Sequence, residues 1–275
     1  MENLVKGFKE HPTFRFTTLL VVLLIALIAL APVLAPYNPL EAVMKDANQA
    51  PSMAHLFGTD KLGRDVLSRI LYGGAYSLSS VLALVAIIFC VGTFLGLVAG
   101  YFGGLIDTVI MRIADMMISF PGVILAIAIA GIMGGSLVNA MIALTAVTWT
   151  KYARLSRSMV LKIRKRDFVD AAIVSGGTSS HILWTHIMPN VVPILVITAV
   201  SDIGAMMMEL AGLSFLGFGS QPPAPEWGLM LNEGRQQLQT APWLMVFPGL
   251  AIFISVVIFN LWGDALRDVL DPRDQ

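Results

Sequence analysis

Apolar residues in this chain come in long, nearly unbroken runs rather than in the spaced stripes of soluble helices. A helix rises about 1.5 Å per residue, so crossing a hydrocarbon layer of about 30 Å takes roughly 20 apolar residues. Six stretches reach or approach that length, at 18–34, 79–99, 116–133, 137–149, 192–210 and 244–262. They predict an all-α, polytopic membrane protein with six transmembrane helices. The fourth stretch is short, and Gly134 and Gly135 predict a tight reversal before it. Lys6, Lys9 and Arg15 precede the first, and Ala29-Leu30-Ala31 resembles a signal-peptide cleavage site. Its apolar core exceeds the ~7–15 residues of such segments, so it reads as an uncleaved first helix.

Composition supports a bilayer as the solvent. Of 275 residues, 56% are hydrophobic and 13% charged, roughly half the charged fraction of an average soluble domain. The net charge of zero gives no basic excess to suggest nucleic acid as a partner. A single cysteine, Cys90, excludes an internal disulfide, a thiolate zinc site and an iron–sulfur cluster.

Local charge sets the orientation. Lys151, Arg154, Arg157, Lys162, Arg164, Lys165 and Arg166 occur with no acidic residue before Asp167, and basic loops stay on the cytoplasmic side. Six spans then put both termini inside, in agreement with Lys6, Lys9 and Arg15, and put 35–74 and 213–241 outside. The second of these external segments carries Glu226 and Glu233 against Arg235. A juxtamembrane basic run can also bind membrane lipid, so the cluster alone decides orientation and no function.

The pattern that follows is more informative. Asp170-Ala171-Ala172 is followed by Gly176-Gly177 and then by His186, Met188 and Pro189. The residues read as helix, turn, helix: small side chains give a close-packing face, Gly176 permits a positive φ, and Pro189 is expected to end the second helix before the next span. The spacing resembles the signature loop of permeases in binding-protein-dependent ATP-binding-cassette importers. In that family the loop docks in a groove of an ATPase subunit and passes its motion to the membrane helices. Asp170 stands for the usual Glu and Met188 for the usual Leu, while His186 resembles the peptide and nickel branch. The residues alone leave His186 as a packed histidine or, with His181, a metal ligand.

Outside the loop, Phe57-Gly58-Thr59-Asp60-Lys61-Leu62-Gly63-Arg64-Asp65, continuing to Ser68-Arg69 and Tyr72-Gly73, is similar to the second permease subunit of that branch. Asp60, Arg64 and Asp65 are expected to form ion pairs fixing an external cap, with turns at Gly58 and Gly63; the alternative is a solvated loop with ordinary surface pairs. Further similarity lies in Gly100-Tyr101-Phe102-Gly103-Gly104, in Ser119-Phe120-Pro121, in Leu213–Gly219, in Glu226-Trp227-Gly228 and in the tail from Asn260 through Asp271-Pro272. Arg112 and Asp115, three apart, are expected to pair. Pro121 should kink the third span, either to line a path or for packing.

Ionisable residues within apolar runs are costly and therefore functional suspects. Asp202 and Glu209 lie seven apart on one face with Met206 between them, either facing a pore or pairing with a partner subunit. The run Met206-Met207-Met208 reads as packing. No phosphate-cradling Gly-x-x-x-x-Gly-Lys-Ser/Thr run occurs, nor Gly-x-Ser-x-Gly, His-Glu-x-x-His or Cys-x-x-Cys. The chain is expected to catalyse no bond chemistry and to hold no metal or cofactor, with ATP and magnesium bound by separate chains.

The resemblance implies a type I importer permease fold in a bacterial cell membrane. It divides the chain into an N-terminal helix and external loop (1–74) and a permease domain (75–275) with its coupling loop at 151–190. It implies as partners a second homologous permease, two ATPases and an extracytoplasmic substrate-binding protein. Asp202-Ile203-Gly204, Met206-Met207, Ala211-Gly212 and Glu226-Trp227-Gly228 through Asn232, Arg235 and Gln236 look more like nickel permeases than peptide ones. Nickel, free or chelated, is the expected cargo, with di- or oligopeptides the alternative. A secondary transporter or channel acting without ATP is the rival class, but it predicts repeated halves with Gly/Pro-broken spans at matching positions, and the sequence shows no convincing internal repeat.

Overall fold

The structure is a computed structural model that describes residues 11–270; the basic residues Lys6 and Lys9 and the Asp271-Pro272 pair lie outside them. Where apolar side chains leave no water to satisfy the backbone, the helix is the available solution, and among the described residues the elements are helical apart from one isolated bridge, Thr59 with Asp65. In chain order they are α1 Pro12–Ala29, α2 Ala31–Leu34, α3 Val66–Phe102, α4 Gly104–Ile118, α5 Gly122–Met133, α6 Leu137–Ile163 and α7 Asp167–Val174. Then come α8 Ser179–His181, a π-helical stretch Ile182–Ile187, α9 Met188–Phe215, α10 Trp227–Gly234 and α11 Trp243–Leu270.

Among the described residues, four helices are long and apolar enough to cross a membrane: Pro12–Ala29, Val66–Phe102, Ser179–Phe215 and Trp243–Leu270. The expected third span, 116–133, is not one straight helix. Its residues fall on α4 and α5, which meet at a 93° bend across Ser119, Phe120 and Pro121. Pro121 has no N–H to continue the ladder and disfavours helical geometry in the residue before it. Counted as one, the bent pair brings the number to five. The expected fourth span forms the first half of α6, which is not among the five. Its apolar part before Lys151 is only about 21 Å long at 1.5 Å per residue.

Boundaries shift elsewhere for local reasons. The second span starts 13 residues earlier than its hydrophobicity suggests, at Val66, so Ser68, Arg69, Tyr72 and Gly73 lie on helix and not in an external loop. Asp65 caps that helix, its carboxylate accepting the Ser68 N–H at 2.8 Å and the Ser68 hydroxyl at 2.7 Å. The reversal expected at Gly134-Gly135 is present, with Gly134 at φ 86° and Asn139 Nδ2 donating to the carbonyls of Met133 and Gly134.

The chain forms two compact units. In the first (1–83, 130–142 and 200–275), α1 packs along α11: Phe14 sits among Ala265, Leu266 and Val269, and the Trp262 indole donates to Thr18 Oγ1 at 3.2 Å. The later part of α9 also meets α11 closely, since a Cβ on Gly263 would lie 2.8 Å from Ser201 Cα.

In the second unit (84–129 and 143–199), α3 and α6 approach through glycines four residues apart, Gly92, Gly96 and Gly100. A Cβ on Gly92 would stand 2.5 Å from the Trp149 carbonyl oxygen, and one on Gly100 2.8 Å from Val160 Cβ. Dispersion between closely packed backbones supplies what the hydrophobic effect cannot supply between helices in lipid. Ala114 of α4 packs with Trp149 and Ala153 of α6.

Candidate functional site

The segment from Asp167 to Asn190 folds as a helix, a turn and a second helix. Gly176 closes the turn at φ 83°, a conformation that costs other L-residues about 1–2 kcal/mol. Gly177 carries the close approach, since a Cβ there would lie 2.9 Å from the Ala172 carbonyl oxygen. Thr178 caps α8 by accepting the His181 N–H. The inner face is made by Val169, Ile182, Leu183 and Ile187, all buried. On the outer side Asp170 and Ala171 are exposed, and so are Phe168, Ile173, Trp184 and Val174, the last at 88%. Four large apolar side chains, Phe168, Ile173, Val174 and Trp184, are thus exposed around this turn.

Pro189 does not end the second helix. The π-helical stretch Ile182–Ile187 passes directly into α9, and the proline lies in its first turn. A π turn is wider than an α turn and shifts the hydrogen-bond register ahead of the proline, so its missing N–H and bulky ring are accommodated without a break. Asn190 Nδ2 donates to the His186 carbonyl at 2.7 Å and takes up one acceptor there. The His186 ring lies edge-on to His181, with centroids 5.7 Å apart. Among the described residues no three His, Cys, Asp or Glu side chains are grouped as metal ligands would be.

The expected cap residues are buried rather than solvated, and their pairing differs from the sequence reading. Asp60 is the hub: Oδ1 accepts the N–H groups of Leu62 (2.8 Å) and Arg64 (3.0 Å), while Oδ2 accepts Arg64 Nε (2.6 Å) and Arg69 Nη1 (2.5 Å). Both guanidiniums then reach Glu233 on α10, Arg69 Nη2 at 2.8 Å and Arg64 Nη2 at 3.2 Å. Arg64 is 2% exposed and Arg69 1%. Asp65 takes no part in this quartet; it caps α3 and accepts from His55 Nδ1 at 3.0 Å. Gly63 makes the turn at φ 76° and faces the Val43 carbonyl, where no side chain fits. Arg69 and Glu233 were not singled out from the sequence as a pair. The available signal was a basic residue in a matched motif and an isolated acid in a segment of few charges.

Beside the quartet, Glu226 caps α10, its carboxylate accepting the N–H groups of Gly228 and Leu229, each at 2.8 Å. It is 3% exposed, and burial pushes its pKa above the ordinary carboxylate value despite those hydrogen bonds. The Trp227 N–H donates to Ser77 Oγ at 3.1 Å and its indole to the Ile70 carbonyl at 2.9 Å, pinning α10 to α3.

In α9, Asp202 and Glu209 are half-buried and Met206 is buried. Met207 is buried as well and Met208 is 56% exposed, as expected of a run that points around a helix. Pro121 sits exposed at the bend between α4 and α5. In the second unit, Asp115 pairs with Arg154 and not with Arg112, and Asp107 with Arg157, whose Nη2 donates at 2.6 Å. Helix α6 lies against α4 there and offers both acids a guanidinium.

Residues 92–273 match the family of inner membrane components of binding-protein-dependent transport systems. The chain belongs to that family. Relatives include a nickel transport system permease of Escherichia coli K12, 42% identical over 94% of this chain and 95% of its own length. A dipeptide transport system permease of Alkalihalophilus pseudofirmus is 44% identical over 88% of this chain and 80% of its own. A glutathione transport system permease of Pectobacterium atrosepticum is 44% identical over 93% and 85%. Among solved structures, a chain of the MetNI methionine ABC transporter in inward-facing conformations superposes with a TM-score of 0.53 and 20% identity, covering 72% of this chain and 96% of that one. That likeness supports the type I importer permease fold. The chain is therefore a multi-pass inner-membrane permease subunit of the peptide, nickel and glutathione group of ATP-binding-cassette importers.

Proposed function

We propose that this permease is one half of a translocation path completed by a second homologous permease, driven by two separate ATPases and fed by a substrate-binding protein outside. The observation that carries the reading is the helix–turn–helix at Asp167–Asn190 with Phe168, Ile173, Val174 and Trp184 exposed on it. Fully burying an aliphatic or aromatic side chain gains about 1.5–3 kcal/mol, so a partner groove covering these partly exposed groups would gain several kcal/mol. Asp170, Ala171, Ala172, Gly176, Gly177, His186 and Pro189 form the coupling surface, with ATP and magnesium held by the ATPases. The basic cluster supports a cytoplasmic side for this surface and both termini, and in this reading the bent α4–α5 pair and α6 act as the third and fourth of six spans, with 75–275 as the permease domain. Asp60, Gly63, Arg64 and Asp65 then brace the outer end. Asp202, Met206, Glu209 and Pro121 are the candidates for the path.

The cargo reading from the sequence is nickel, free or chelated. Short peptides are the second reading, supported by dipeptide and glutathione permeases as similar to this chain as the nickel permease is. One experiment addresses both points. Cells lacking the chain are restored with wild type, Ala171→Asp or Gly176→Asp, and uptake of labelled nickel and of a labelled dipeptide is measured alongside ATPase co-purification. Wild type should restore nickel uptake, and both variants should insert normally while losing ATPase binding and uptake. Unimpaired binding and uptake in the variants would overturn the coupling surface, and restored dipeptide uptake alone would overturn nickel.

A further inference from the structure

Five of the seven basic residues of 151–166 divide into two sets. Arg154 and Arg157 pair with Asp115 and Asp107, and Arg164 donates to the Tyr101 carbonyl at 2.7 Å with its guanidinium over the Tyr101 ring. Lys162 and Arg166 have no acidic partner among the described residues, yet both line a groove of about 630 Å³. The rest of the lining is mostly apolar, with Leu155, Met159 and Ile163 from α6, Phe168 from α7 and Ile194 from α9 beside the polar Ser158 and Asn190.

The depth of the two cations follows from packing. Gly92 meets Trp149 and Gly100 meets Val160, so α6 runs beside the second half of α3, and Lys162 lies just past the level where α3 ends at Phe102. That is the height at which a membrane-crossing helix completes its apolar run and the headgroup region begins. Arg154 and Arg157, deeper on α6, are neutralised by aspartates, whereas Lys162 and Arg166 at headgroup level are not.

From this charge complementarity we infer that the groove binds an anionic phospholipid, its phosphate on Lys162 and Arg166 and an acyl chain along Leu155, Met159, Ile163 and Ile194. An acyl chain needs a continuous apolar floor, and a phosphate needs cations at its rim; basic pockets between membrane helices hold anionic headgroups in this way. With Phe168 in the wall, the lipid touches α7 itself. The inference rests on the chain being a membrane protein and not on its cargo or its ATPase contacts.

The test uses the intact transporter in phosphatidylcholine nanodiscs containing spin-labelled phosphatidylglycerol, and reads the immobilised fraction relative to spin-labelled phosphatidylcholine. A basic residue near an anionic surface contributes about 1 kcal/mol, or about a fivefold preference, so Lys162→Gln and Arg166→Gln should each lower the preference about fivefold and the pair about 25-fold. Lys165→Gln, an equal loss of charge outside the groove, should lower it clearly less than either groove variant does. Ile194→Trp, which fills the floor and keeps both cations, should lower immobilisation of the anionic lipid. An equal loss with Lys165→Gln, or no loss with the double variant, overturns the proposal. So does immobilisation of the anionic lipid that appears only after the ATPase subunits are stripped from the transporter, which would make the groove a protein-docking surface.

Discussion

Replacing Asp60 by Asn should destabilise the permease more than any single change of charge at its surface. The carboxylate faces Arg64 Nε at 2.6 Å and Arg69 Nη1 at 2.5 Å, and those guanidiniums share one further acid, Glu233. Asn can still accept the N–H groups of Leu62 and Arg64, so the turn survives and the charge is what is lost. Two cations would then face a single carboxylate at sites 1–2% exposed. Breaking one partner out of a buried pair costs about 3–5 kcal/mol, because the residual charge stays desolvated. Asp115→Asn is the control: its pair with Arg154 is about half exposed, at 53% and 47%, and such pairs contribute about 0–1 kcal/mol. Combining Asp60→Asn with Arg69→Leu restores neutrality, so the double variant should be less destabilised than the sum of its singles by about 0.5–3 kcal/mol. Equilibrium unfolding in mixed micelles, with retained uptake as a check on assembly, measures wild type and the four variants. A cost for Asp60→Asn within about 1 kcal/mol of that for Asp115→Asn, or strict additivity in the double variant, would refute the buried-quartet argument.

Two further outcomes follow from the same structure. Gly92→Ala places a methyl 2.5 Å from the Trp149 carbonyl and Tyr152 Cβ and should cost about 1–3 kcal/mol by prising α3 from α6, whereas Gly212→Ala meets nothing within 4 Å and should stabilise by about 0.4–1 kcal/mol; equal melting temperatures for the two would contradict the close approach. Burial raises the pKa of Glu226 above its ordinary 4.5, so folding favours the protonated form: the contribution is full below 4.5 and is lost as pH rises through the folded value. Glu226→Gln should therefore flatten the pH dependence of unfolding across that window, and wild type gaining stability relative to the variant with rising pH would reverse the sign and sink the assignment.

What the sequence made legible was whatever depends on near neighbours. The apolar runs had to be helices because lipid offers the backbone no other partner, and the turn at Gly176 was readable because only glycine takes φ 83° there without strain. Contacts between distant residues were not readable. Arg69 and Glu233 are 164 positions apart, and nothing local to either names the other. Gly92, Gly96 and Gly100 stand in the sequence as a small-residue ladder, a signal that could have been used, but the helix they receive is set by the fold. Pro189 misled because the expectation that proline stops a helix assumes an α register, and a π stretch precedes it. Charge gives the more general lesson. The chain carries 18 basic and 18 acidic residues, a balance that says nothing by itself. Its meaning lies in where neutralisation is local, as at Asp60 with Arg64 and Arg69 or at Asp107 with Arg157, and where it is withheld. Burying an unmatched charge is expensive, so charges inside the fold find partners within it, whereas Lys162 and Arg166 stand exposed at its edge beside an apolar groove, where the proposed lipid phosphate would supply the counter-charge.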